Sequence, residues 1–142
     1  MQRAFAAFLV LMLLHVPSAS AYGGLVLSRG SVGEVNLVDQ HGATFSMDTV
    51  EEPILVVAFI YTSCPDVCPV ITQTLKAVQR DLPASLQGRV AFLSITVDPV
   101  RDTPATLLDF TNLHDVSWPH LTGEDDVLQD VWQRFGISVQ SE

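Results

Sequence analysis

The run "ILVVAFIY", residues 54–61, shows no polar alternation. It is rich in β-branched residues and lies between Pro53 and a loop holding both cysteines. That pattern predicts a central strand covered on both faces. "RVAFLSITV", residues 89–97, predicts a second buried strand. Between them Val67, Val70, Ile71, Leu75, Val78 and Leu82 recur at helical spacing, predicting an amphipathic helix over 67–82 that stops at Leu82-Pro83. Thr103 as N-cap and Pro104 as first helical residue open another helix, with Leu107, Leu108 and Thr111 inward, fading near His114. "SWPHL", residues 117–121, reads as a short third strand. Thr122 is expected to cap a last helix. Its acidic first turn (Glu124, Asp125, Asp126) suits the positive end of the helix dipole, and Gly136 ends it. Val127, Leu128, Val131, Trp132 and Phe135 form its apolar stripe, and "GISV" after it reads as a strand beginning.

Upstream, "EVNLVD" and "ATFSM" flank "QHG", a hairpin with its turn at His41-Gly42. Asp48 and Glu51 stand at capping-box spacing before Pro53, which limits any helix there to about one turn. Strands alternating with helices imply βαβ units and an α/β fold with a mostly parallel central sheet, flanking helices and an N-terminal hairpin. Ligand sites in such sheets sit beyond the C-terminal strand ends. The cysteine loop follows one predicted strand and Asp98 follows the next, so the two share an edge if the strands are neighbours.

Residues 1–21 read as an export signal: a positive start at Arg3, an apolar core over 4–16, and the small-x-small ending Ala19-Ser20-Ala21. A core of 13 residues is shorter than the ~20 a membrane span needs, so cleavage after Ala21 is expected, with an uncleaved membrane anchor as the alternative. The implied location is exported, the periplasm or an equivalent space. Residues 22–33 are a glycine-rich, flexible lead-in, and the remainder is one modest domain. A formal charge of −9 keeps such a domain soluble and argues against nucleic acid as a partner.

Cys64 and Cys68, in "YTSCPDVCP" (61–69), are the two cysteines of the chain. One close pair is not a disulfide scaffold, and a bridge closing so small a loop removes little unfolded-state entropy. Asp66 as N-cap places Cys68 in the first turn of the 67–82 helix, where free amides and the dipole stabilise a thiolate. A spacing of four lets both sulfurs point the same way, either to bond each other or to share a soft metal ion. Two thiolates suit Cu(I); Zn(II) needs two further donors from His41, His114 and His120. Each histidine also has a simpler role, as a turn, helix-end or strand residue.

"FIYTSCPDVCP" resembles the signature of the SCO/SenC copper-chaperone family, whose fold is thioredoxin-like. "SITVDPVRDTP" (94–104) resembles that family's second signature, "NLVDQHGATFSM" (36–47) its leading hairpin, and "LTGEDDVLQDVWQRFGI" (121–137) its helix after the third strand. The resemblance runs from about residue 35 to 137. It implies a copper ion bound through Cys64 and Cys68, which would also form a redox-active disulfide, with Asp98 as an outer-shell acid. It implies copper delivery to the copper-site subunit of cytochrome c oxidase, or to another copper or thiol protein; some members exchange disulfides instead. The family's third ligand is a histidine in a later hairpin, after the stretch matching "WQRFGI". The sequence stops six residues beyond Gly136, at "ISVQSE", without a histidine there. An incomplete thioredoxin-like domain over 34–142 is therefore expected, lacking the C-terminal hairpin and last helix, with apolar surface exposed around residues 54–60. An inactive truncated remnant is the bland alternative.

Overall fold

The computed structural model describes residues 35–139. The expected export signal and lead-in lie outside the described residues. The elements are β1 (Asn36–Asp39), β2 (Thr44–Ser46), a 3-10 turn (Met47–Thr49), β3 (Ile54–Ile60), α1 (Val67–Arg80), β4 (Val90–Thr96), α2 (Pro104–His114), β5 (His120–Thr122) and α3 (Asp125–Arg134).

The five strands form one mixed sheet in the order β2-β1-β5-β4-β3. β3 and β4 run parallel from Ile54 opposite Val90 to Ile60 opposite Thr96. β5 continues the parallel set, with His120 opposite Ser94. β1 joins β5 antiparallel and closes the expected hairpin with β2. Gly42 at φ 80° makes its turn, a backbone state that glycine enters freely. The Asp39 carboxylate accepts from the N–H groups of His41 and Ala43 at 2.8 and 2.9 Å, which pins the same turn.

Side chains alternate across the sheet. Leu93 and Ile95 of β4 face α3 in the main core with Leu37, Leu121, Leu128, Val131 and Trp132. Ala58 and Ile60 of β3 face the other way, into a cluster with Cys64, Cys68 and Phe110. The cysteines are thus built into the smaller core, beneath α1 and α2.

Several local signals hold. The Thr103 side chain accepts from the N–H of Thr106 with Pro104 following it. Gly136, at φ 70°, ends α3, and the Ile137 N–H closes back to the Trp132 carbonyl at 2.8 Å. Others are corrected. β3 is the outer strand of the sheet among the described residues, not a central one, and Ile54 is 41% exposed. The apolar run is real, but only Ala58 and Ile60 are buried; the expected exposure is confined to Ile54, and the other four residues are half-buried. α1 ends at Arg80 and is rotated from the expected stripe: Cys68 and Thr72 are buried, Ile71 and Leu75 half-buried, while Val67, Val70 and Val78 face out. The turn before β3 starts at Met47 after Ser46, so Asp48 is not its cap. Thr122 lies inside β5 and Glu124 is the N-cap of α3. Residues 136–139 form no strand.

Gly123, just after β5, lets the chain pass close to the core. A Cβ added there would sit 2.8 Å from Cδ2 of Leu37, which is 1% exposed and cannot swing into solvent. Gly123→Ala is expected to destabilise the fold by about 1–3 kcal/mol in urea unfolding, as overpacking does. Adding Leu37→Ala should make the glycine change nearly free; equal costs in both backgrounds would show that the contact is not the cause.

Candidate metal centre

Parallel pairing of β3 with β4 puts the cysteine loop and the loop holding Asp98 at the same sheet edge. The loop after Ile60 turns tightly, with the Cys64 N–H donating to the Tyr61 carbonyl at 3.3 Å. α1 begins three residues after Cys64. Asp66 is its N-cap residue, although its side chain makes no cap bond. The Cys68 N–H instead donates to Sγ of Cys64 at 3.4 Å. A sulfur therefore occupies the place a capping oxygen usually fills, against amides that have no helical partner.

Both cysteines are free thiols, and both are buried, 5% and 3% exposed. Burial pushes the Cys64 thiol up. The N–H groups of Asp66 and Cys68, the Cys68 thiol and the Tyr61 hydroxyl outweigh that and bring it from 9.0 down to about 7. Cys68 goes the other way, up to about 11. Burial is the main cause, the Tyr61 N–H opposes it, and the Cys64 sulfur and the charge of Asp102 reinforce it. The two sulfurs are side by side and unequal: one ionises easily, and the other donates to it.

Asp98 lies where the sequence put it, but its carboxylate takes the Arg101 guanidinium, and its N–H donates to Thr96 Oγ1 at 2.9 Å. The acid that bonds to the cysteine loop is Asp102, fully buried and hydrogen-bonded to Thr62. Sequence reading missed it, and missed Tyr61 as a partner of both sulfurs. The signal for Asp102 was available, since Thr62 lies just past β3 and Thr96 ends the neighbouring parallel strand β4, on the edge that Asp102 overlooks.

The histidines make other contacts. His41 sits in the hairpin turn. His114 faces Gln73 and the ring of Phe110, 4.3 Å between centroids. His120 is fully buried, with Nδ1 3.1 Å from the Trp118 carbonyl. Among the described residues no three His, Cys, Asp or Glu side chains converge as a metal-binding group. The donor set at this site is the two sulfurs, and soft thiolates in that number fit Cu(I).

A protein-family model described as SCO1/SenC matches residues 29–142. The chain belongs to the SCO1/SenC family. Protein SenC of Rhodobacter capsulatus is 41% identical over 92 residues, covering 64% of this chain and 41% of its own. An SCO2-like protein of Rickettsia prowazekii is 29% identical over 136 residues, covering 92% of this chain and 65% of its own. The chain thus spans less than two thirds of the length of these curated relatives. Among solved structures, Bradyrhizobium japonicum ScoI with copper bound matches with a TM-score of 0.66 at 28% identity, over 78% of this chain and 71% of that one. The fold is the thioredoxin-like SCO fold that the sequence resemblance implied.

Proposed function

We propose that this SCO1/SenC chain holds Cu(I) between Cys64 and Cys68 and passes it to a thiolate-bearing acceptor. The observation that carries this is the pair of free thiols in hydrogen-bond contact at the start of α1. The copper-bound relative supports it. On loading, each thiol gives up its proton to solvent and the ion takes two sulfur donors. On delivery, the acceptor's thiolates replace them one at a time. The family resemblance supports the copper-site subunit of cytochrome c oxidase as that acceptor. In this reading Asp98, engaged by Arg101, is an outer acid facing the partner. The signal read from residues 1–21 supports an exported location, released or held to the membrane by the N-terminus.

Anaerobic Cu(I) titration of the reduced protein against a chromophoric chelator tests this. Stoichiometric binding is expected, lost in both Cys64→Ser and Cys68→Ser with the thermal melt kept. Absence of binding in the wild type, or its survival in both variants, would overturn it.

The inequality of the thiols favours a second reading, disulfide exchange. The Cys64 thiolate attacks a partner's disulfide and expels one partner thiolate, forming a mixed disulfide. Cys68 then gives its proton to the thiolate already expelled and attacks Cys64, which breaks the mixed disulfide and releases the partner's second sulfur as a thiolate, leaving a Cys64–Cys68 disulfide and a partner reduced by two electrons. Turnover with a disulfide substrate, in protein that takes up no Cu(I), would select this reading.

A further inference from the structure

Asp102 precedes the N-cap of α2 and is 0% exposed. Its carboxylate takes the Thr62 N–H at 3.1–3.2 Å, the Thr62 hydroxyl at 2.5 Å and the Thr96 hydroxyl at 2.5 Å. Among the described residues no ion pair joins it. Burying a carboxylate without a cation is costly, and a packing role alone does not call for one. What the carboxylate does is clamp three pieces together: the end of β4 through Thr96, the cysteine loop through Thr62, and the start of α2. Thr62 directly follows Tyr61, whose two backbone groups set the sulfurs. The Tyr61 carbonyl holds the Cys64 N–H, and the Tyr61 N–H points to the Cys68 thiol.

We propose that Asp102 is a positioning residue for the cysteine pair: its buried carboxylate grips Thr62, fixes the peptide units around both sulfurs, and places negative charge behind them. The charge opposes any state in which the sulfurs carry negative charge of their own. A Cu(I) bis-thiolate carries one net negative charge and a disulfide carries none. Asp102 therefore loosens the hold on Cu(I) and favours the oxidised pair over the thiolate form. The affinity arm rests on the copper reading above; the disulfide arm does not.

The test uses three proteins, wild type, Asp102→Asn and Asp102→Ala, and two readouts beside thermal melts. Asparagine keeps the shape and an acceptor for Thr62 while removing the charge. Alanine removes the clamp as well. The first readout is the midpoint potential of the Cys64–Cys68 pair, equilibrated at about pH 8 with reduced and oxidised glutathione, which supply and take the two electrons. The second is Cu(I) affinity by chelator competition. Asp102→Asn is expected to melt as the wild type does, to bind Cu(I) on the order of tenfold more tightly, and to shift the potential upward by about 30 mV, the two-electron equivalent of tenfold. Potential and affinity both unchanged in folded Asp102→Asn would overturn the proposal, whether or not Asp102→Ala folds. Wild-type protein that takes up no Cu(I) sinks the copper reading and leaves the potential to decide on Asp102.

Discussion

Raising the pH of the reduced protein from about 5 to about 9 should release one thiol proton from the pair, not two. Cys64 is brought to about 7 and Cys68 pushed up to about 11, both from 9.0. Near pH 7 about half of Cys64 is thiolate, whereas about one Cys68 in ten thousand is. Thiolate absorbance in the ultraviolet should rise by one sulfur's worth around neutrality and then stay flat. Iodoacetamide near pH 7 should label Cys64 almost alone. In Cys64→Ser the neutral step disappears. Cys68 then titrates lower than before, because the neighbouring sulfur that raised it is gone. In Cys68→Ser the neutral step remains, since the Asp66 N–H, the residue-68 N–H and the Tyr61 hydroxyl still face the Cys64 sulfur. Two thiolates by about pH 9, or none, would show that the sulfurs do not share a proton as the geometry requires.

The same inequality sets a sign for stability. A depressed folded value at Cys64 means that the fold gains from its ionisation as pH rises from about 7 to 9, and loses that gain as pH falls through about 7. The raised value at Cys68 works oppositely above about 9. Burial raises both sulfurs, so it drives the shift at Cys68 and works against the one at Cys64; at 5% and 3% exposure both sit under a cover of neighbouring side chains. The lining of that cover includes Tyr61, whose own hydroxyl is pushed above its ordinary value chiefly by its bond to Cys64. Opening the site would break that bond and raise Cys64 toward an ordinary thiol, so access and acidity oppose each other.

What was legible in the sequence was what neighbouring residues decide. The Thr103-Pro104 start of α2, the Gly136 stop of α3 and the His41-Gly42 turn depend on a handful of adjacent groups, and each was read correctly. The cysteine pair was found because its spacing is itself a local geometry. Features set from a distance were lost. The rotation of α1 depends on which face meets β3 and α2, so Val67 and Val70 read as core and are not, while the polar Thr72 is buried. β3 reads as central because apolar content reports how buried the faces are and is blind to which edge lacks a neighbour. Asp102 was overlooked because "VRDTP" looks like a helix entry, whereas its principal donors come from Thr62, 40 residues away. Asp98 was preferred from its place after β4 and from the family resemblance, and neither reveals that Arg101 engages it.

Acid should destabilise the fold between about pH 6.5 and about pH 4, and His120 should account for most of a specific share of that loss. Its ring is fully buried, stacked beside Trp118 at 5.8 Å between centroids and tilted against Phe110 at the same distance. Nδ1 donates to the Trp118 carbonyl at 3.1 Å, which leaves Nε2 as the unprotonated nitrogen, and among the described residues Nε2 has no partner. A second proton would have to sit there unsolvated. Burial pushes the group from 6.5 down to about 4; the Trp118 carbonyl resists this, and the nearby His114 adds to it. The unfolded chain takes its proton below about 6.5, the folded one only below about 4. Stability is therefore full above that window, falls across it, and levels off beneath it. The drop amounts to about 3 kcal/mol at 1.36 kcal/mol per unit. His120→Leu removes the proton site and the unpaired nitrogen together, and the Trp118 carbonyl keeps the Gln40 Nε2 donor at 3.4 Å. Urea unfolding at about pH 7.5 and about pH 4.5 should show the wild type losing roughly 2–3 kcal/mol more than His120→Leu. Groups other than His120 are common to both proteins and cancel in that difference, and a His114→Gln background checks the neighbour's contribution. Equal acid losses in the two proteins would mean that the buried imidazole is already accommodating its second proton, and that the pocket of Phe110 and Trp118 is wetter than its geometry shows.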